Sequence, residues 1–154
     1  ISVLDSSLVE QIVEWNIVCA IQPQFVTSDT WTIDRIGAER SKWAYAFRTL
    51  WDRGVRLALG SDCPVEVLSS AKVLSAAIHR SPWSPNETLT LDEALYGYTL
   101  NSAYSIFRDD IIGSLEKGKF ADFIVYDCAY ENLGNSLAAG IVPCEAWTSG
   151  VRVR

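Results

Sequence analysis

The sequence predicts an α/β fold in which helices alternate with strands of a buried parallel sheet, followed by a separate layer of short β-strands. Two strand-length, mostly apolar runs, Ile17 to Ile21 and Val55 to Leu59, are bounded by turn-forming residues, as expected of strands covered on both faces. Segments with apolar residues every three or four positions flank each run. Beyond about Ile112 the pattern changes, because Gly113, Gly118, Gly134, Gly140 and Gly150 punctuate short extended stretches.

From the N-terminus, Leu8, Ile12 and Trp15 fall at helical spacing after an Asp5-Ser6-Ser7 start, which predicts a short amphipathic helix over Asp5 to Trp15. The strand Ile17 to Ile21 follows and ends at Gln22-Pro23, since proline holds the residue before it extended. The polar stretch Gln24 to Asp34 reads as a long loop of the kind that carries binding residues. Trp43, Phe47, Leu50 and Trp51 then predict one helix over Glu39 to Arg53, with both tryptophans on its inner face and Gly54 as its C-terminal cap.

Val55 to Leu59 is the next strand, and Val67 to Ile78 the next helix, with Val67, Leu68, Ala71, Leu74 and Ile78 on one side. Arg80 to Asn86, which holds Pro82 and Pro85, reads as an extended connection. Thr90-Leu91-Asp92-Glu93 fits a capping box and starts a helix through Tyr98. Thr99 to Ala103 offers caps for a second short helix to about Phe107. Short strands are expected at Phe123 to Tyr126, Glu145 to Thr148 and Val151 to Val153. Residues 1–111 and 112–154 therefore read as two units.

Composition narrows the classes of function. Hydrophobic residues make up 49% of the 154 positions, enough for one sizeable core. No apolar run approaches the roughly 20 residues of a membrane-spanning helix, and the first residues lack the basic segment and apolar stretch of a signal peptide. We expect a soluble, cytoplasmic chain with no membrane partner. It starts at Ile1 and contains no Met, so a processed piece or part of a longer protein is expected. Thirteen Lys plus Arg against nineteen Asp plus Glu give a net charge of −6 with no basic cluster, which speaks against nucleic acid. Cys19, Cys63, Cys128 and Cys144 form no C-x-x-C pair, so a zinc finger is not expected, and Cys19 and Cys128 read as small buried hydrophobes.

The stretch Leu57-Ala58-Leu59-Gly60-Ser61-Asp62-Cys63-Pro64-Val65-Glu66 is where chemistry is expected, because an apolar strand there delivers a carboxylate into a turn. In parallel α/β sheets the C-terminal strand ends form the functional face. Asp62 is thus either a ligand for metal or substrate, or a cap for the turn and the helix near Pro64.

Together with Gly113-Ser114-Leu115-Glu116-Lys117-Gly118-Lys119-Phe120-Ala121-Asp122-Phe123-Ile124-Val125, that stretch resembles the amidohydrolase superfamily, in particular its amidohydrolase-3 or YtcJ-like branch of metal-dependent hydrolases. Gln22-Pro23, Ala44-Tyr45-Ala46-Phe47-Arg48 and Thr90 to Leu95 extend the resemblance over nearly the whole chain. It implies the C-terminal part of a (β/α)8 TIM barrel, its last two strands and following helices, plus the C-terminal strands of a small β-sandwich. Ile17 to Gln22 would be the seventh barrel strand and Val55 to Ser61 the eighth.

The family holds its metal with a His-x-His pair on the first strand, an acidic or modified residue on the fourth, histidines on the fifth and sixth, and an aspartate after the eighth. Only the last has a counterpart here, Asp62. The resemblance thus implies a divalent metal, zinc foremost, with Asp62 as metal ligand and as proton acceptor while activated water attacks a C–N or related bond of a small molecule. One carboxylate cannot hold a hydrolytic zinc, which takes about three protein ligands. No stably bound metal and no turnover are therefore expected of these residues alone.

Gln22, Thr27, Ser28 and Asp29 after the first strand, and Cys63 and Glu66 beside Asp62, are candidate substrate-binding residues. A solvated loop is the other reading of the first four, and packing under the turn the other reading of Cys63. His79, at a helix end, reads as a partner for the last carbonyls. Ser61, His79 and Asp62 do not make a triad. Half a barrel leaves strand edges unpaired, so self-association, or complementation by the missing N-terminal barrel segment, is expected. The alternative function is a non-catalytic α/β module that self-associates or complements a partner.

Overall fold

A computed structural model of the chain describes residues 2–79 and 84–154. Helix α1 (Ser6–Glu14) begins where extended Asp5 accepts the Leu8 N–H at 2.8 Å, and it buries Val9 and Ile12. Strands β1 (Cys19–Ile21) and β2 (Leu57–Leu59) pair in parallel, with Cys19 beside Leu57 and Ile21 beside Leu59. Both strands begin two residues later than the apolar runs, for one repeated reason. Ile17 donates its N–H to Ile12 O at the end of α1, and Val55 donates to Leu50 O at the end of α4 (Phe47–Asp52). Each follows a residue with positive φ, Asn16 at 49° and Gly54 at 76°, so two equivalent Schellman turns feed the two strands.

The stretch expected to be a loop, Gln24 to Asp34, contains α2 (Phe25–Ser28) and the start of α3 (Thr32–Ser41), which is interrupted at Gly37. Thr27 and Thr32 hydroxyls donate to Gln24 O and Asp29 O at 2.7 Å, closing these turns with their own side chains. The single helix expected over Glu39 to Arg53 is two helices. The chain between them is drawn out by the N-terminus: Leu4 N–H donates to Trp43 O at 3.1 Å, Tyr45 N–H donates to Ser2 O at 2.9 Å, and Tyr45 has φ 53°. Trp43 therefore lies outside any helix, and both it and Trp51 are only half-buried against the core.

Helix α5 (Ser70–Ile78), capped by Ser69, starts three residues after the expected Val67, and Val67 and Leu68 stay exposed. Gln24 Nε2 donates to Val67 O at 2.9 Å and holds that segment off the helix. Most of the connection expected over Arg80 to Asn86 lies outside the described residues. The capping box at Thr90 is formed and opens α6 (Leu91–Tyr96). No second cap follows, because α6 runs through one wide π turn, Gly97–Asn101, into α7 (Ser102–Ser105). The Thr99 hydroxyl donates back to Leu95 O instead of capping a new start.

The C-terminal region forms an antiparallel sheet, β3 (Phe123–Val125), β4 (Glu145–Thr148) and β5 (Val151–Arg152), with the Phe123 and Trp147 rings stacked 5.5 Å apart. A helix absent from the sequence expectations, α8 (Tyr130–Ala138), separates β3 from β4 and packs on α5 near Gly134, where a β-carbon would lie 3.4 Å from Ile78 Cδ1. Its Leu137 joins Phe47, Leu50, Ile21, Leu57 and Leu74 in the fully buried core. The chain is thus α/β, with one parallel and one antiparallel sheet among the described residues. Among the described residues no helix is long and apolar enough to cross a membrane.

Candidate functional site

β2 is buried at all three positions, and it continues the ladder one step further where Gly60 N–H donates to Ile21 O at 3.0 Å. Gln22 and Gly60 therefore stand side by side past the same ends of the two strands. Two residues on, Asp62 adopts φ 59°, a left-handed conformation that Asp tolerates better than most residues. Its carbonyl accepts Val65 N–H at 2.8 Å, closing the turn. The side chain that ties the turn is Ser61, almost buried, whose Oγ accepts Cys63 N–H at 3.3 Å. The Asp62 carboxylate is left exposed, with no hydrogen bond or ion pair among the described residues. It is presented, not spent on a cap.

The other candidates behave differently from one another. Thr27 and Ser28 turn their hydroxyls toward Gln24 O, at 2.7 and 3.5 Å, so the Thr27 proton is committed locally. Asp29 accepts a hydrogen bond from the Tyr45 hydroxyl. Gln22 is half-buried and Cys63 is an exposed free thiol. Thr27 and Glu66 line a common cavity of about 330 Å³. Gln22, Ser28, Asp29, Asp62 and Cys63 do not line it. A larger cavity of about 510 Å³ lies between the π turn and β3, is walled by apolar side chains such as Ile106, Leu115 and Phe123, and touches none of the candidates.

The sequence reading missed residues that the fold brings to this end of the chain. Gln24, buried to 3% exposure, ties the loop after β1 to the loop after β2 through Val67 O. Lys72, Ser75 and His79 line the 330 Å³ cavity along one face of α5, a spacing of three and four residues that was readable in the sequence. His79 occupies the C-cap of α5, and its Nε2 lies 3.4 Å from Gly134 O on α8, so a carbonyl partner is present but from another helix. Tyr45, marked in the sequence only by the family-like stretch Ala44 to Arg48, is a buried aromatic residue with positive φ.

A metal centre can be tested on the donor set alone. Among the described residues no three His, Cys, Asp or Glu side chains come together in a way that could hold a metal ion. Asp62 is a single donor, so these residues do not by themselves fit a metal.

Comparison with known proteins adds an independent observation. The sequence model of the amidohydrolase family, Amidohydro_3, matches residues 1–153. A Bacillus subtilis protein named as an amidohydrolase, YtcJ, is 36% identical over 132 residues, covering 80% of this chain and 25% of that protein. The N-substituted formamide deformylase of Arthrobacter pascens is 39% identical over 88 residues, 54% of this chain and 16% of the enzyme. The crystal structure of an uncharacterized metal-dependent hydrolase from Pyrococcus furiosus superposes with a TM-score of 0.72 at 35% identity, covering 77% of this chain and 25% of that one. The chain thus spans about a quarter of the length of these two longer-matching relatives.

Proposed function

The chain belongs to the amidohydrolase family, and on that premise we propose that it supplies the Asp62 corner of a metal-dependent hydrolase that cleaves C–N bonds of small molecules with water. The observation that carries this reading is the Asp62 carboxylate. It is exposed, unbonded among the described residues, and held at positive φ three residues past the end of a fully buried parallel strand. A carboxylate so presented can accept a proton from attacking water, a role worth typically 10²–10⁴-fold in rate. A carboxylate used for folding would be bonded to the turn, and here Ser61 does that work.

On the same reading, β1 and β2 are the last two strands of a (β/α)8 barrel and β3 to β5 belong to a β-sandwich, with the division near residues 111 and 112. The parallel pairing and the antiparallel C-terminal sheet support this assignment. The remaining metal ligands come from polypeptide other than residues 1–154, and zinc is the metal proposed. Gln22, Asp29, Cys63 and Glu66 are proposed to face the substrate, with Thr27 and Ser28 shaping the loop. The likeness to a formamide deformylase favours small amides as first substrates to assay. Among the described residues the outer edge of β1 has no strand partner, which favours self-association or complementation when the chain is by itself.

The test is Asp62→Asn in the full-length protein, assayed on N-substituted formamides and related amides. We expect turnover to fall by about 10²-fold or more with circular dichroism and melting unchanged. Comparable turnover in the variant removes Asp62 from the chemistry. Metal analysis of residues 1–154 alone should give well under one equivalent of zinc, and a tight stoichiometric ion would defeat the assignment of the other ligands elsewhere.

A further inference from the structure

The 330 Å³ cavity between the two post-strand loops, α5 and α8 contains opposite charges that do not neutralise one another. Glu66 reaches it from the Asp62 turn and Lys72 from the first turn of α5. Neither side chain takes part in any ion pair or side-chain hydrogen bond among the described residues. A cation in the first turn of a helix is also placed against the helix dipole, so local stability does not explain Lys72. Gln24, almost wholly buried, spends its amide N–H on Val67 O and is itself part of the cavity wall. Ser75 adds a hydroxyl and His79 an imidazole.

We propose that this cavity binds a small zwitterion, an amino-acid-like molecule carrying a primary ammonium and a carboxylate. Glu66 and Gln24 Oε1 accept from the ammonium, while Lys72 and the Ser75 hydroxyl donate to the carboxylate. The volume fits a ligand of this size, since small-molecule sites begin near ~300 Å³. Two unpaired poles on one wall set make a zwitterion bind better than either single charge, because a lone anion or cation leaves the opposite pole unmatched. Glu66 lies four residues after Asp62 and Gln24 holds Val67, so occupancy of the cavity also braces the turn that presents Asp62.

His79 is the one histidine of the sequence and provides a site-specific probe. The purified protein, labelled at histidine, is titrated with glycine, 4-aminobutanoate and 6-aminohexanoate, and in parallel with butanoate, hexanoate, butylamine and hexylamine, while the His79 ring resonances are followed by NMR. At least one zwitterion should shift them saturably, with single-charge analogues of matched length binding about tenfold or more weakly. Glu66→Gln and Lys72→Met should each weaken the zwitterion by about tenfold, and the double charge exchange Glu66→Lys with Lys72→Glu should restore binding. Equal binding of zwitterions and single-charge analogues would overturn the proposal. So would a saturable shift that survives Lys72→Met, or no saturable shift with any zwitterion.

Discussion

Arg48 on α4 meets Glu93 on α6 through two parallel hydrogen bonds, Nη1 to Oε2 at 2.7 Å and Nη2 to Oε1 at 2.9 Å. Glu93 also accepts Thr90 N–H in the capping box, and Arg48 also pairs with Asp52. One carboxylate therefore both starts α6 and pins it to α4. The hydrogen bonds from the Arg48 guanidinium hold the Glu93 carboxyl below its usual value of 4.5, with burial opposing them. The unfolded chain thus takes up this proton first as pH falls. The stabilisation is complete above about pH 4.5 and declines below it, through the lower folded-state value. Glu93→Gln should cost about 1–3 kcal/mol near neutrality and flatten the acid limb of a melting-temperature against pH curve. An unchanged acid limb would mean the pair contributes nothing in solution.

Gly97 sits where the π turn touches β2, and a β-carbon built there would lie 2.5 Å from Leu59 Cδ1 and 3.0 Å from Leu57 O. Glycine inside a helix ordinarily costs about 1 kcal/mol against alanine. Here the sign should reverse, and Gly97→Ala should destabilise by about 1–3 kcal/mol through overpacking on the strand that leads to Asp62. Urea midpoints measured at constant m decide the sign.

The same turn closes the outer edge of β2 with side chains. In the register with β1 the Leu57 and Leu59 carbonyls point away from the partner strand, and they accept Asn101 Nδ2 and Ser102 Oγ, each at 3.2 Å. Asn101→Ala leaves a buried carbonyl unpaired and should cost about 1–3 kcal/mol. Ser102→Ala should cost less, since its single hydroxyl proton is shared between Leu59 O at 3.2 Å and the nearer Gly97 O at 2.8 Å. Equal and negligible losses in denaturant titrations would show that water reaches this edge.

Periodicity and caps made much of this fold legible. Asp5, Gly54 and Thr90 act as the sequence implied, because each signal is local: an oxygen for the first amides, or a glycine for the positive φ after a helix. What failed depended on distant chain. The break at Tyr45 follows from pairing with Ser2 to Leu4, and the late start of α5 follows from Gln24 holding Val67. Helix α8 escaped notice because Asn132, Gly134 and Asn135 favour turns, and only packing on α5 makes them helical. The family and the Asp62 turn were readable from two motifs. The cavity residues Lys72, Ser75 and His79 were not read as a set, since their spacing looked like an ordinary helix face.

Phe107 is a bulky residue in the left-handed region, φ 58°, at the Schellman turn that ends α7, and its side chain is 87% exposed. Arg108 N–H donates to Ala103 O there, as Ile17 and Val55 do at the equivalent turns of α1 and α4. Left-handed backbone costs a non-glycine residue roughly 1–2 kcal/mol, against a glycine entropy cost of about 0.5–1 kcal/mol. Phe107→Gly should therefore stabilise isolated residues 1–154 by about 0.5–1 kcal/mol, read as a higher urea midpoint. A loss of stability would show that the ring is covered in solution, by self-association for instance, which light scattering of the two proteins distinguishes.

Asp62 poses the same backbone problem at the candidate site, with a different resolution. Its φ of 59° is tolerable for Asp and Asn, strained for Ala and free for Gly, and among the described residues its carboxylate makes no bond that would be lost on substitution. Asp62→Asn should leave stability within about 0.5 kcal/mol, Asp62→Ala should lower it by about 1 kcal/mol, and Asp62→Gly should be neutral or slightly stabilising. This order separates conformation from chemistry, because all three variants lack the carboxylate and only one is strained. If turnover in the full-length protein follows the stability order, the turn shape limits activity. If all three are equally inactive while Asp62→Gly and Asp62→Asn remain as stable as the parent, the carboxylate itself is what the strand ending at Leu59 exists to present.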